Sequence, residues 1–481
     1  RGRTFENIMQ IVVIAAFVTA LSLLEAPLQL ADARWAGPAV PAYLLIALVL
    51  SGANTALSLR SIARQGGPSS RILRRYNRLL IVSRFWLIAG LAATLLMGFA
   101  SAVRQAGLMS VPLAAELVAL APFAAALMLT WATEYPFHLA VRRHIARREA
   151  LQGQPPRPVW TLGQYLTFNL RHHLLFVAVP VGFILLLSDV LNLYVAPYFG
   201  DAAMAVRFGG TLAAAGLVFV IAPLMLVRVW HTAPLTDGQL RDKLERLLRR
   251  LKLRARDIRV WHTGGVLANA GVMGVVAPVR YVLLSDALLE EMDDDQIQAV
   301  FAHEAGHIVH HHIFYAVLFA AGSVLLCTAG TDLVLGAVGA DPGGAGQLWS
   351  LAVVALVWAV GFGWISRRFE RQSDVLAAWV VGQVVGDTDV DDDRIAPEGA
   401  AIFARALEKI AVLNGIPLSQ RNWRHGSIAR RAEYVLWLGS TGRGRHEADR
   451  TVKRIKLTLW LLLLLSFAVA GMDFSHVAGA G

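Results

Sequence analysis

His303-Glu304-Ala305-Gly306-His307 is an HExxH motif set between long apolar runs of the chain. On a helix, residues four apart project from one face, so the two imidazoles stand where two corners of a tetrahedral zinc site would be. Glu304, beside the first histidine, then has the reach to take a proton from water activated at that metal. Zinc-dependent peptide hydrolysis at a membrane is the reading that the rest of the chain has to support or defeat.

The membrane half of that reading follows from composition. The chain has 481 residues, of which 56% are apolar and only 16% charged. A soluble protein of this length needs more polar surface, so most of the chain is expected in lipid. Nine stretches reach the length of about 20 residues that a spanning helix needs. They lie near 8–30, 40–57, 79–100, 111–133, 174–195, 207–230, 313–337, 348–366 and 457–476. The first is too long for a signal-peptide core and is read as retained. Its single cysteine, Cys327, excludes a disulfide framework and a cysteine-rich zinc site.

The net charge of +11 is almost all arginine, and its placement alternates. Arg60, Arg64, Arg71, Arg74, Arg75 and Arg78 crowd one loop; Arg142, Arg143, Arg147, Arg148, Arg157 and Arg171 crowd another. The connections 31–39 and 101–110 hold one arginine each, and 196–206 holds none. That pattern reads as membrane topology and not as nucleic-acid binding, for which no motif is present. It predicts a bacterial inner-membrane protein with the N-terminus and the HExxH region in the cytoplasm and the C-terminus outside. Glu25, Arg84, Glu116 and Asp189, near predicted membrane faces, are expected to snorkel to the interface.

The expected fold is a mainly α-helical polytopic membrane protein carrying a small cytoplasmic α+β zincin-type domain. Residues 1–230 form a six-helix transmembrane bundle. Residues 231–312 form the first part of the peptidase domain, 313–366 a transmembrane hairpin, 367–456 the second part, and 457–481 a last spanning helix. Thr236 and Gln239 read as a capping box ahead of an apolar stripe from Leu240 to Leu251. Asp257–His262 and Val279–Leu284 read as strands. Asp293, with Gln296 three residues on, caps the helix that carries HExxH, and that helix is expected to run straight into the seventh span.

A zinc site needs a third protein ligand and an open position. His311 continues the spacing from His307, but a straight helix carries it away from the metal, so His310, His311 and His312 are read as an interfacial polar patch. Glu370 is the better candidate. It follows the eighth span and so returns to the membrane face that holds HExxH. Asp374, one turn on, is placed to accept the other ring proton of a ligand histidine. Spacing alone leaves a solvated, salt-bridged face with Arg367 and Arg371 as the alternative.

HExxH, a membrane hairpin and a downstream ExxxD helix together resemble the integral-membrane gluzincin family of the HtpX heat-shock proteases and Ste-type CAAX prenyl proteases. Asn269-Ala270-x-x-x-Gly274 is similar to the family's NAxxxG segment, which implies an edge strand for substrate backbone at Asn269 and Ala270. Leu283–Leu289 resembles its strand-to-helix segment. His425–Arg431 resembles HPxxxxR, with Gly426 in place of proline. The resemblance, over about 236–440, implies one Zn2+ per chain on His303, His307 and Glu370, with Glu304 as general base. It also implies His425 and Arg431 near the reacting centre, and membrane-associated proteins or peptides as substrates, as in quality control or in trimming a lipid-modified tail. Two other functions fit the sequence: a sensor protease acting on a cytoplasmic regulator, and a non-catalytic scaffold or transporter with a vestigial site. The acidic run at 387–398 mimics a calcium loop but has Asp392 where glycine is required, so it is read as an acidic surface loop.

Overall fold

A computed structural model describes residues 2–25, 30–151, 153, 158–339, 345–386, 393–442, 444 and 446–479. The chain divides into two compact units, Arg1–Thr232 with His262–Val266, and Ala233–Trp261 with Leu267–Gly481.

The first unit is helical throughout. Its helices are α1 (Gly2–Glu25), α2 (Ala36–Gln65), α3 (Ser70–Thr94), α4 (Ala100–Gln105), α5 (Ala114–Leu151), α6 (Leu162–Asn169), α7 (Phe176–Tyr194) and α8 (Ala203–Val229). Small residues on α1 and α5, such as Ala16, Ala20, Ala119 and Ala126, meet Leu87, Leu91 and Leu95 in the core. Phe208, Leu212 and Phe219 on α8 point outward and are exposed. An apolar exterior over a packed interior is the arrangement that lipid requires.

Among the described residues, six helices are long and apolar enough to cross a membrane: Ala33–Gln65, Ser70–Gln105, Ala114–Leu151, Leu162–Tyr194, Ala196–Val229 and His312–Ala337. Met9–Leu24 is a shorter apolar helix.

Arg84 departs from the expectation that it snorkels. It is 1% exposed, donating from Nη2 to both carboxylate oxygens of Glu134 at 2.6 Å and from Nη1 to Thr130 at 2.8 Å. Ser51 Oγ adds a 3.3 Å hydrogen bond to Glu134. A partner on a neighbouring helix removes the need to reach the interface, and only the tertiary fold supplies it. Asp189 is also engaged, accepting from the Leu113 N–H at 2.8 Å. The side chain of Glu25 lies outside the described residues.

The second unit opens on β1 (Thr232–Pro234), α9 (Gln239–Arg250), β2 (Asp257–Trp261), β3 (Ala270–Met273) and β4 (Tyr281–Ser285). The sheet order is β1-β2-β4-β3, with β4 parallel to β2 and antiparallel to β3, so β3 lies at an edge. There follow α10 (Asp286–Glu291), α11 (Asp294–Val309), α12 (His312–Ala337), α13 (Ala345–Val357), α14 (Gly363–Val385), α15 (Pro397–Leu413), α16 (Ile428–Thr441) and α17 (His446–Gly479). A wide turn at Trp358–Phe362 joins α13 to α14. Leu244, Leu247, Val282, Leu284, Phe301, Val380 and Phe403 meet in one core that joins sheet and helices.

Two local expectations change. The cap of α9 is Gly238, with no side-chain hydrogen bond, and not Thr236. The HExxH helix does not run on into the next span: it ends at Val309, and His311 takes a left-handed conformation, φ 56°, before α12 begins. The stretch 387–392 of the calcium-like run lies outside the described residues.

The Arg84–Glu134 pair generates a stability test. Arg84→Met leaves a carboxylate buried without its partner and is expected to cost about 3–5 kcal/mol, whereas Arg84→Met with Glu134→Leu recovers most of it. Thermal unfolding of the detergent-solubilised protein reads both; equal loss in the single and double variants would contradict the pairing.

Candidate metal centre

The helix that carries HExxH is fixed at its start by chemistry written in the sequence. Asp293 accepts from the Gln296 N–H at 2.8 Å, and Asp294 and Asp295 favour the positive end of the helix. Ile297, Phe301 and Ala302 bury the same helix in the core. Its neighbour is α14, and Gly306 lets them approach closely. A Cβ at Gly306 would sit 3.1 Å from Ser373 Cα, Cβ and Oγ.

This approach brings His303, His307 and Glu370 together, with one donor atom from each within 4.8 Å of the others. His303 Nε2 and His307 Nε2 are 3.4 Å apart; Glu370 Oε2 is 3.6 Å from the first and Oε1 3.7 Å from the second. Zinc–ligand bonds of about 2.0–2.1 Å in tetrahedral geometry put donors roughly 3.3–3.4 Å apart, so the spacing and the donor set fit that ion. Glu304 sits half-buried on the same helix, and its charge is felt at Arg431.

The buried carboxylates are held by cationic partners. Arg431 donates from Nε and Nη2 to Asp374 at 2.8 and 2.6 Å, and its Nη1 is 3.0 Å from Glu370 Oε2. His425 Nδ1 lies 2.7 Å from Glu370 Oε1. Burial pushes the Glu370 carboxyl up, but the charges of His425 and Arg431 outweigh it and hold the group well below its usual range. Asp374 is lowered in the same way: burial opposes, and Arg431 and His303 prevail. Arg431 is held above its ordinary value, because Asp374 and Glu370 outweigh the effect of burial.

The two histidines differ. Burial, with His303, His425 and Arg431 close by, pushes His307 down to about 3 despite the charge of Glu370. Burial also lowers His303, but Asp374 and Glu370 more than offset it and the net shift is upward. Its Nδ1 faces Asp374 Oδ1 at 3.0 Å, a bent approach that leaves Nδ1 without a well-aligned hydrogen bond.

The loop that delivers His425 explains how glycine serves at position 426. Gly426 has φ 76°, closed to proline, whose ring fixes φ near −65°. Asn422 ties the loop instead. It exchanges backbone hydrogen bonds with Gly426 at 2.9 and 3.0 Å, and its Oδ1 accepts from the N–H groups of Arg424 and His425. Trp423 Nε1 donates at 2.5 Å to the Ala359 carbonyl in the wide turn before α14.

Asn269 precedes β3 and Ala270 begins it. The Asn269 N–H donates to Ser285 Oγ, and its carbonyl accepts from the Ser285 N–H, both at 2.9 Å. Strand β3 pairs with β4 on one side, and α11 packs against β3.

His312 departs from the expected interfacial polar patch. It is 3% exposed and stacks on Phe369, ring centroids 4.2 Å apart. Its Nδ1 lies 3.0 Å from His307 Nδ1, and its Nε2 lies 2.9 Å from Gln372 Oε1. Gln372 Nε2 in turn donates to Asp449 Oδ1 at 2.5 Å. Read from the carboxylate outward, these contacts fix each proton. Gln372 donates to Asp449, so its oxygen accepts from His312 Nε2–H. The lone pair on His312 Nδ1 then accepts from His307 Nδ1–H, which leaves His307 Nε2 facing the donor cluster. His311 is exposed and turned to the Ile308 and Val309 carbonyls. The break at His311 is what folds His312 back, and straight-helix spacing gave no signal of it.

His312→Phe keeps the stacking surface and removes both ring nitrogens. Zinc affinity of the full chain, measured by competition with a chromophoric chelator, is expected to fall by about 10–100-fold. Unchanged affinity would remove His312 from the support of His307.

Part of the chain is similar to known proteins. Residues 234–390 match the family described as Peptidase family M48. The CAAX prenyl protease 1 homolog of Arabidopsis thaliana is 30% identical over 176 residues, which are 34% of this chain and 41% of that protein. The match thus spans about two fifths of that relative's length. The crystal structure of S. mikatae Ste24p superposes with a TM-score of 0.51 at 16% identity, covering 83% of this chain and 98% of that one. At that identity the likeness is one of fold. The chain therefore carries a peptidase family M48 domain built into a multi-span membrane fold.

Proposed function

We propose that this protein is an integral-membrane zinc metalloendopeptidase that hydrolyses peptide bonds in membrane-associated proteins or peptides. The observation that carries the reading is the convergence of His303, His307 and Glu370, with Glu304 on the same helix as the two imidazoles. When bound by these three residues, zinc supplies Lewis acidity, making water acidic near neutral pH and drawing electron density from the scissile carbonyl.

The remaining roles fall to the chain's own groups. Glu304 accepts the proton of the attacking water and returns it to the leaving amine. Arg431 commits Nε and Nη2 to Asp374 and Nη1 to Glu370, so we assign it to orienting the carboxylates and not to facing substrate. His425 uses Nδ1 on Glu370, which leaves Nε2 to meet the developing oxyanion. Substrate adds as an extended strand along the outer edge of β3, beginning near Asn269 and Ala270.

The arginine-rich loops support a site on the cytoplasmic side of the membrane, which we take to be a bacterial inner membrane, with the N-terminus inside and the C-terminus outside. The peptidase domain is then split into 231–312 and 367–456 by the hairpin at 313–366, behind the bundle at 1–230 and ahead of a last span at 457–481.

The test compares wild type with Glu304→Gln and Glu370→Ala on an unfolded protein substrate, with zinc analysis of each. Glu304→Gln is expected to keep about one zinc per chain and lose cleavage by roughly 10²–10⁴-fold, the scale of a general base. Glu370→Ala is expected to lose the metal as well. Equal cleavage by wild type and Glu304→Gln would overturn the mechanism and leave a non-catalytic scaffold as the better reading.

A further inference from the structure

Beside the metal centre, α14, the loop before α16 and α16 itself enclose a cavity of about 620 Å³. Its lining is strongly cationic: Arg367, Arg368, Arg371, Arg421, Arg430 and Arg431. The one acidic residue in the lining is Asp374, already held by Arg431 and His303. The other five arginines have no carboxylate partner among the described residues. Arg367 donates to the Trp423 carbonyl at 2.7 Å, Arg368 lies over the Trp364 ring at 4.6 Å, and Arg371 over the Tyr434 ring at 4.4 Å. These contacts orient guanidinium groups without neutralising them. Burial, with the adjacent charges of Arg371 and Arg367, also lowers Arg368 from its usual value, as expected of cations crowded together.

The cavity lies at the end of an apolar stretch. No charged residue occurs between Asp341 and Arg367, so Arg367 and Arg368 are the first charges after a long apolar stretch. Trp364 and Trp423, both exposed, stand at that boundary, where indoles mark a membrane surface. Guanidinium groups suit phosphate oxygens, and this cluster follows directly on the apolar stretch, where lipid phosphates would lie. An acidic peptide would satisfy the charge, but it would not account for a cationic pocket set at the end of the apolar stretch.

We propose that this pocket binds the phosphate of an anionic phospholipid headgroup at the membrane surface next to the metal centre. The headgroup neutralises the five arginines and reaches the wall formed by His425 and Arg431, the two residues that grip Glu370. Binding rests on the membrane reading of the helices and is independent of whether the site hydrolyses peptides.

The test is native mass spectrometry of the full chain released from nanodiscs of phosphatidylglycerol mixed with phosphatidylcholine. The variant is Arg368→Gln with Arg371→Gln and Arg430→Gln; the control removes equal charge elsewhere, as Arg71→Gln with Arg74→Gln and Arg75→Gln. Wild type and control are expected to retain phosphatidylglycerol selectively. The pocket variant is expected to lose that preference by about tenfold or more, since each interfacial arginine is worth roughly a fivefold factor. Zinc content and thermal unfolding verify that the variant is folded; if it is not, Arg430→Gln alone is read against wild type on the same scale. Equal retention by wild type and pocket variant, or equal loss in pocket variant and control, would overturn the proposal. So would displacement of nothing by inorganic phosphate together with tight capture of an acidic peptide, which would assign the pocket to a protein ligand.

Discussion

The close contact of α11 with α14 at Gly306 is the constraint on which the site depends. HExxH supplies two nitrogens, and a helix cannot curl its own next turn round to supply a third donor from the same side. The third has to come from another segment at backbone-contact distance. Gly306 opposite Ser373 provides that distance, and Glu370 then reaches both imidazoles at 3.6–3.7 Å. The same contact buries Glu370 and Asp374 together, and two buried carboxylates need counter-charge. Arg431 supplies it to both, which couples α16 to the geometry of the donor cluster. Helix contact, donor set and arginine clamp are therefore one requirement and not three.

Much of this was legible in the sequence because it is local. The HExxH spacing, the Asp293 cap and the ExxxD spacing of Glu370 and Asp374 all follow from helix geometry within one or two turns. The strands at Asp257 and Tyr281 announced themselves by β-branched and aromatic residues between turn signals. The features that were missed are those in which a distant segment decides. Thr236 has the right chemistry for a cap, yet the chain enters α9 through Gly238. Arg84 looked like a residue needing the interface because its partner, Glu134, stands on another helix.

His312 is the most instructive of these cases. A run of three histidines at the end of a helix reads as polar and solvated. The left-handed residue at His311 breaks the helix, and the next side chain, His312, is buried. A non-glycine residue at φ 56° is unfavourable by itself, and such strain persists where the surroundings over-determine it. Here the surroundings are visible: the Phe369 stack, Gln372 and, beyond it, Asp449. Gln372 lies between Glu370 and Asp374 on α14, so one helix supplies both the carboxylate that joins the donors and the amide that orients one of them.

That helix also sets how far from the lipid the chemistry can occur. Ser366 ends the uncharged stretch, and at 1.5 Å per residue Glu370 lies only about 6 Å further along the axis. The donor cluster therefore sits within about one helical turn of the level at which the chain leaves its apolar surroundings. Under the proposed function, a peptide bond reaching it would be carried close to the membrane surface. Proximity to the membrane is thus built into the register of α14, independently of any contact that recognises the substrate's sequence.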